Sequence, residues 1–135
     1  YVQDRQQREV IALRNAIIHA DGSAVTQILR DDPTLASHLN GTSLMWSRGE
    51  ILKQILSAGA DACRVTEGVT PLHIISHYGG TEDVGAVFKR CPANINARDP
   101  NGLTPSDWAI LSGKNANADF LRAHGGVRGD ELRGT

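Results

Sequence analysis

Gly68-Val69-Thr70-Pro71-Leu72-His73 is the stretch on which the fold turns. Thr70 suits a helix N-cap, because its hydroxyl can accept from the unpaired N–H groups of a first turn. Pro71 suits the first helical position, where no donor is needed, and Leu72 and Ile75 open an apolar face at helical spacing. Gly79-Gly80 ends this helix, and a second is expected from about Glu82 to Lys89, with Val84, Val87 and Phe88 on one stripe. Cys91-Pro92 stops it, and the Asn-, Asp-, Pro- and Gly-rich segment from Asn94 to Gly102 reads as a turn projecting from the body. The pattern then returns. Gly68, Thr70, Pro71 and Gly79 recur as Gly102, Thr104, Pro105 and Gly113, every pair 34 positions apart, and Ala60-Asp61 recurs as Ala93-Asn94 at 33. Coincidences at one offset mark a supersecondary unit repeated in tandem.

This unit resembles the ankyrin repeat, whose Thr-Pro-Leu-His motif stands verbatim at Thr70 to His73. The resemblance implies an all-α solenoid of about four helix-turn-helix repeats with projecting β-turn loops. The repeats are expected at residues 6–39, 40–65, 66–99 and 100–126, with a short polar tail at 127–135. The fourth unit keeps Thr104-Pro105 and Ala109 but has Ser106 for Leu and Asp107 for His, the drift of a terminal capping repeat. Its end is marked by Gly125-Gly126, placed as a helix C-cap. Upstream, Leu13, Ala16, Ile17 and Ala20, then Val25, Ile28 and Leu29, form two helices joined near Asp21-Gly22 and broken at Asp32-Pro33. Between lies a shortened repeat. It opens at Gly41 to Trp46 and regains the pattern at Ile51 to Asp61, but the fifteen positions from Leu44 to Gly59 fall about one helical turn short of the family spacing. One extra residue between Phe88 and Ala93 should lengthen or twist the loop there.

The bulk composition agrees with such a stack and excludes other classes. A chain of 135 residues with 40% hydrophobic content suits one domain, and only 4% aromatic residues disfavour a β-sandwich. Fourteen basic residues against fifteen acidic give a formal charge of −1, too little positive charge to hold nucleic acid. Cys63 and Cys91 belong to no CxxC or zinc spacing and read as free thiols in a reducing compartment. No signal or membrane-spanning run is visible, so a cytoplasmic or nuclear location is expected, without membrane contact.

No catalytic constellation stands out in the sequence. His73 and His77 lie four apart on one helix, the spacing for a shared metal, but no Glu or third ligand accompanies them. The family resemblance instead gives His73 a structural role, bonding backbone and Thr side chains between repeats. No nucleophile-and-base pattern and no phosphate-binding Gly-rich loop is present, so no cofactor is expected. Arg128-Gly129-Asp130 spells an integrin-type tripeptide, which carries little weight without a secretion signal. Trp46 and Trp108 share a register with Ile74 and are expected to be partly buried between repeats.

In the resembled family, partners meet the turn tips and the exposed positions of the first helices on a concave face. Counted from Thr70 these are Arg64, Thr66, Glu67 and Val69, then His77 and Tyr78. Counted from Thr104 they are Arg98, Pro100, Asn101 and Leu103, then Leu111 and Ser112. The expectation is a non-catalytic adaptor or inhibitor, monomeric by itself, that binds a protein or peptide there. The alternatives are a regulatory or assembly domain of a larger polypeptide and, remotely, a metal-dependent enzyme using the two histidines.

Overall fold

Helix follows the apolar stripes along the chain in a computed structural model that describes residues 2–39 and 47–132. Among these residues there is no strand or sheet beyond a lone Thr66–Val69 bridge, so the fold they form is all-α. The stretch expected to open the second repeat, Gly41 to Trp46, lies outside the described residues. The chain divides into two units, Tyr1–Asp61 and Ala62–Thr135.

In the first unit, α1 (Val2–Ile18) buries Leu13, Ala16 and Ile17, and α2 (Gly22–Asp31) buries Val25 and Leu29. Ala20, expected on the apolar stripe, is instead exposed at φ +53° in the link between the helices. Asp21 starts α2 by accepting from Ala24 N at 3.1 Å. Asp32 then accepts from Thr34 N and starts a 3-10 turn, Pro33–His38, that buries Leu35 and Ala36. The next helix, α3 (Gly49–Ser57), buries Leu52, Ile55 and Leu56 and meets α2 through the Thr26 and Gln54 side chains, 3.0 Å apart.

The second unit is a repeated helix pair. The helices α4 (Pro71–Tyr78) and α5 (Thr81–Arg90) are followed by a 3-10 turn, Pro92–Asn96, and then by α6 (Pro105–Leu111) and α7 (Asn115–Ala123). Both members of the pair recur at the sequence offset of 34, from Pro71 to Pro105 and from Thr81 to Asn115. Thr70 and Thr104 cap α4 and α6 as expected, each with a reciprocal partner three residues on. Asp107 therefore does the capping work of His73, its carboxylate accepting from Thr104 N at 3.0 Å. Leu72, Ile75, Val84, Val87, Ala109 and Leu121 close the core without solvent exposure.

Three features of this unit depart from the sequence reading. Cys63 and Cys91 are not free thiols but a disulfide, with Cα atoms 5.5 Å apart. Cys63 and Cys91 are 28 positions apart, and the chain between them rises along α4 and returns along α5, so it comes back beside its own start. With both cysteines paired, no free thiol points to a reducing compartment. The segment from Asn94 to Gly102 is not wholly a projecting turn, because its first part is wound into the 3-10 turn and only residues 99–102 form the tip. The supposed polar tail is folded back as far as it is described, ending in a short helix, α8 (Gly129–Leu132). Val127 O accepts from the Thr104 hydroxyl at 2.6 Å, Val127 N donates to Asn96 Oδ1 at 2.8 Å, and Gly129 N donates to Asp107 Oδ2 at 2.8 Å. Gly129 packs so closely on the Gly102 carbonyl that a Cβ has no room. Within the Arg128-Gly129-Asp130 tripeptide Gly129 is buried, while the exposed Arg128 guanidinium lies 3.5 Å from Asp130 and 3.2 Å from Glu131.

Candidate functional site

The first turn tip is built by backbone pairing. Thr66 and Val69 exchange N–H···O bonds of 2.9 and 3.0 Å around Glu67 at φ +52° and Gly68 at φ +80°. Positive φ at both central residues is the signature of the tight hairpin turn that prefers Asn-Gly. Glu67 is strained there, since a side chain without local hydrogen bonding pays about 1 kcal/mol in the left-handed region. Glu67→Asn is expected to raise the stability of this unit by about 0.5–1 kcal/mol, read as a higher denaturant midpoint at unchanged slope.

The second tip is fixed by a buried carboxylate. Asp99, 8% exposed, accepts at Oδ1 from Asn101 N and Leu103 N and at Oδ2 from Trp108 Nε1, each at 2.9 Å. Burial alone would push this carboxyl up, but the bonds from Leu103, Trp108 and Asn101, with the nearby His73 ring, outweigh it and hold the carboxyl below its ordinary 3.8. The two tips touch, and a Cβ added at Gly68 would lie 2.8 Å from Pro100 Cγ.

His73 ties the two repeats together. Its Nε2 donates to Leu103 O at 2.9 Å, and its Nδ1 lies 2.8 Å from the Thr70 hydroxyl and 3.2 Å from Thr70 N. This is the pattern of the neutral ring with the proton on Nε2. Burial lowers its pKa below 6.5, partly offset by the Leu103 carbonyl and Asp99. Both ring nitrogens are committed within the protein, so His73 is not placed to ligate a metal with His77. Among the described residues no group of three or more His, Cys, Asp or Glu side chains could hold a metal ion.

The expected contact residues fall into two sets. Thr66, Glu67, Tyr78, Arg98, Pro100, Asn101 and Leu111 are exposed, whereas Arg64, Val69, His77, Leu103 and Ser112 are half-buried. His77 stacks edge-on against Tyr78 at 4.3 Å between ring centroids and faces Trp108 at 6.2 Å. Trp108 is half-buried, as its register implied. Ser112 points its hydroxyl back to Trp108 O at 2.7 Å, and Leu103 contributes mainly its carbonyl, so neither side chain is a natural contact.

In the second unit, the exposed apolar groups that the motif count missed are Val65 at 59% and Ile110 at 44% exposure. Ile110 had a signal: it is a large apolar residue at the register where the preceding repeat has the small, buried Ser76. Polar reasoning also missed Asn117, 2% exposed, which donates to Ser76 O at 3.1 Å and Gly79 O at 2.9 Å.

The first unit offers a groove floored by Ala12, Ile28 and Leu35. Its rim charges are already engaged, Arg5 with Glu9 at 3.2 Å and Asp31 with Gln27 at 3.0 Å, which leaves little to recognise a ligand. No helix among the described residues is long and apolar enough to cross a membrane. No protein-family model matches the chain, and no curated protein matches it either.

Proposed function

We propose that the chain is an ankyrin-type repeat module without catalytic activity, which holds a protein or peptide on the turn tips and the exposed ends of α4 and α6. The observation that carries the reading is the pairing of hydrogen-bonded tips with large exposed apolar side chains. Tyr78 is 48% and Leu111 73% exposed, and Leu111 holds the position equivalent to His77 one repeat on. Large side chains held out by fixed backbone suit an interface anchor, because little conformational freedom remains to be lost on binding. Arg64, Thr66, Glu67, Val69, Arg98, Pro100 and Asn101 would supply the rim. The 34-residue recurrence of both helices supports the repeat reading. A cytoplasmic or nuclear setting belongs to the same proposal and implies that the Cys63–Cys91 bond is reducible there.

The test is a pull-down from lysate of the source organism, with wild type against the Tyr78→Ala/Leu111→Ala double variant, followed by titration of the captured protein. Loss of roughly 2 kcal/mol of binding free energy, about 30-fold in Kd, is expected for the double variant. Ile18→Ala, an exposed change in the first unit, should leave affinity unchanged. Equal affinity for wild type and double variant would remove this face as the site.

A further inference from the structure

The Cys63–Cys91 disulfide joins the segment before the first turn tip to the end of α5. Cys91 belongs to the core of the second unit, but the helices have other support: Leu72, Ile75, Val84, Val87, Ala109 and Leu121 are fully buried, and the Thr70–His73 and Thr104–Asp107 boxes fix the starts of α4 and α6. The segment it tethers is built differently. Every residue from Cys63 to Val69 is exposed or half-buried, and the turn carries the strained Glu67. Segments with little burial sit at the low end of local stability, so a covalent tether matters most there. Cys63 is exposed, whereas Cys91 is only 5% exposed.

We propose that Cys63–Cys91 is a reversible thiol switch that sets the order of the turn at 64–69 while leaving the helices folded. An external dithiol supplies the electrons. Its thiolate attacks Sγ of Cys63, the exposed member of the pair, the S–S bond breaks, and the electron pair leaves on Cys91 Sγ, which takes up a proton. The second thiol of the reductant, as thiolate, attacks the reductant's own sulfur in the mixed disulfide, releasing Cys63, which is protonated in turn. Two electrons and two protons reach the protein, and the dithiol closes to a cyclic disulfide. Reduction then loosens Arg64, Thr66, Glu67 and Val69. The effect on a partner rests on the interaction face proposed above, but the switch itself does not.

The experiment treats the full chain with dithiothreitol at neutral pH without denaturant, counts thiols by mass, and follows amide hydrogen exchange. The Thr66 and Val69 amides, hydrogen-bonded across the turn, are the readout. Reduction should release both thiols and speed exchange of the turn by about tenfold or more, while α4 and α6 change by less than about threefold. Oxidised glutathione should restore slow exchange, and Cys63→Ser/Cys91→Ser should reproduce the reduced state. A bond that resists reduction without denaturant, a turn unchanged after verified reduction, or helices that loosen as much as the turn would each overturn the switch. If Tyr78→Ala/Leu111→Ala keeps its partner while reduction still frees the turn, the interaction face fails and the switch stands.

Discussion

Replacing Asn117 by alanine is expected to destabilise the second unit by roughly 2–4 kcal/mol, because two buried carbonyls lose their donor at once. Ser76 O and Gly79 O lie at the C-terminal end of α4, where carbonyls have no partner within the helix. Asn117 reaches them from the first turn of α7, and the Thr81 hydroxyl reaches its Oδ1 at 3.3 Å, so one side chain links α4, α5 and α7. A thermal melt should show the midpoint lowered by about 10 °C or more, given the usual sensitivity of a small domain. The exposed neighbour Asn115, changed to alanine, should shift stability by no more than about 0.5 kcal/mol. Equal effects from the two changes would mean that the bridge contributes nothing beyond helix propensity.

His73→Leu should cost a comparable 2–4 kcal/mol at neutral pH and should also change how stability depends on acid. The loss is centred on Thr70, whose N–H and hydroxyl face the ring, since Leu103 O keeps the Asp99 N–H as donor at 2.8 Å. In the native protein the His73 pKa lies below its ordinary 6.5, so between the two values the unfolded chain binds more protons. The stability due to the neutral ring is therefore complete above pH 6.5 and declines as pH falls from there through the folded pKa. Asp99 acts in a separate, more acidic window. Its carboxyl is held below 3.8, so its contribution is present above that pH and is lost as pH falls further. Denaturant titrations at pH 7.5 and 5 should show wild type losing stability with acid through this range and His73→Leu losing less. Parallel curves would show that the ring does not supply the slope.

The helices were legible because their signals are local. The second helix expected from Glu82 to Lys89 is Thr81–Arg90, and Thr70-Pro71 and Thr104-Pro105 start their helices where cap chemistry places them. What escaped was long-range. No motif links two cysteines 28 residues apart, because the pairing depends on α4 and α5 being antiparallel neighbours. Asn117 and Asp99 are polar residues in polar stretches, and such stretches read as solvated surface until the partner across the repeat is known. Glu67 resembles any exposed acid, although backbone pairing forces it to positive φ. The site was only partly legible for the same reason. Counting from the motif finds Tyr78 and Leu111, but exposure of Val65 and Ile110 depends on what packs beside them.

The folded-back residues 127–129 also matter to anyone who would lengthen this protein by grafting. His73 secures α4 to the carbonyl of the following repeat at Leu103, whereas the start of α6 is already occupied, its Thr104 hydroxyl by Val127 O and its Asp107 carboxylate by Gly129 N. The segment serves as a molecular bookend. A helix pair grafted after residue 132 would find that berth filled, while one grafted after Gly126, with the change Asp107→His, would meet it open.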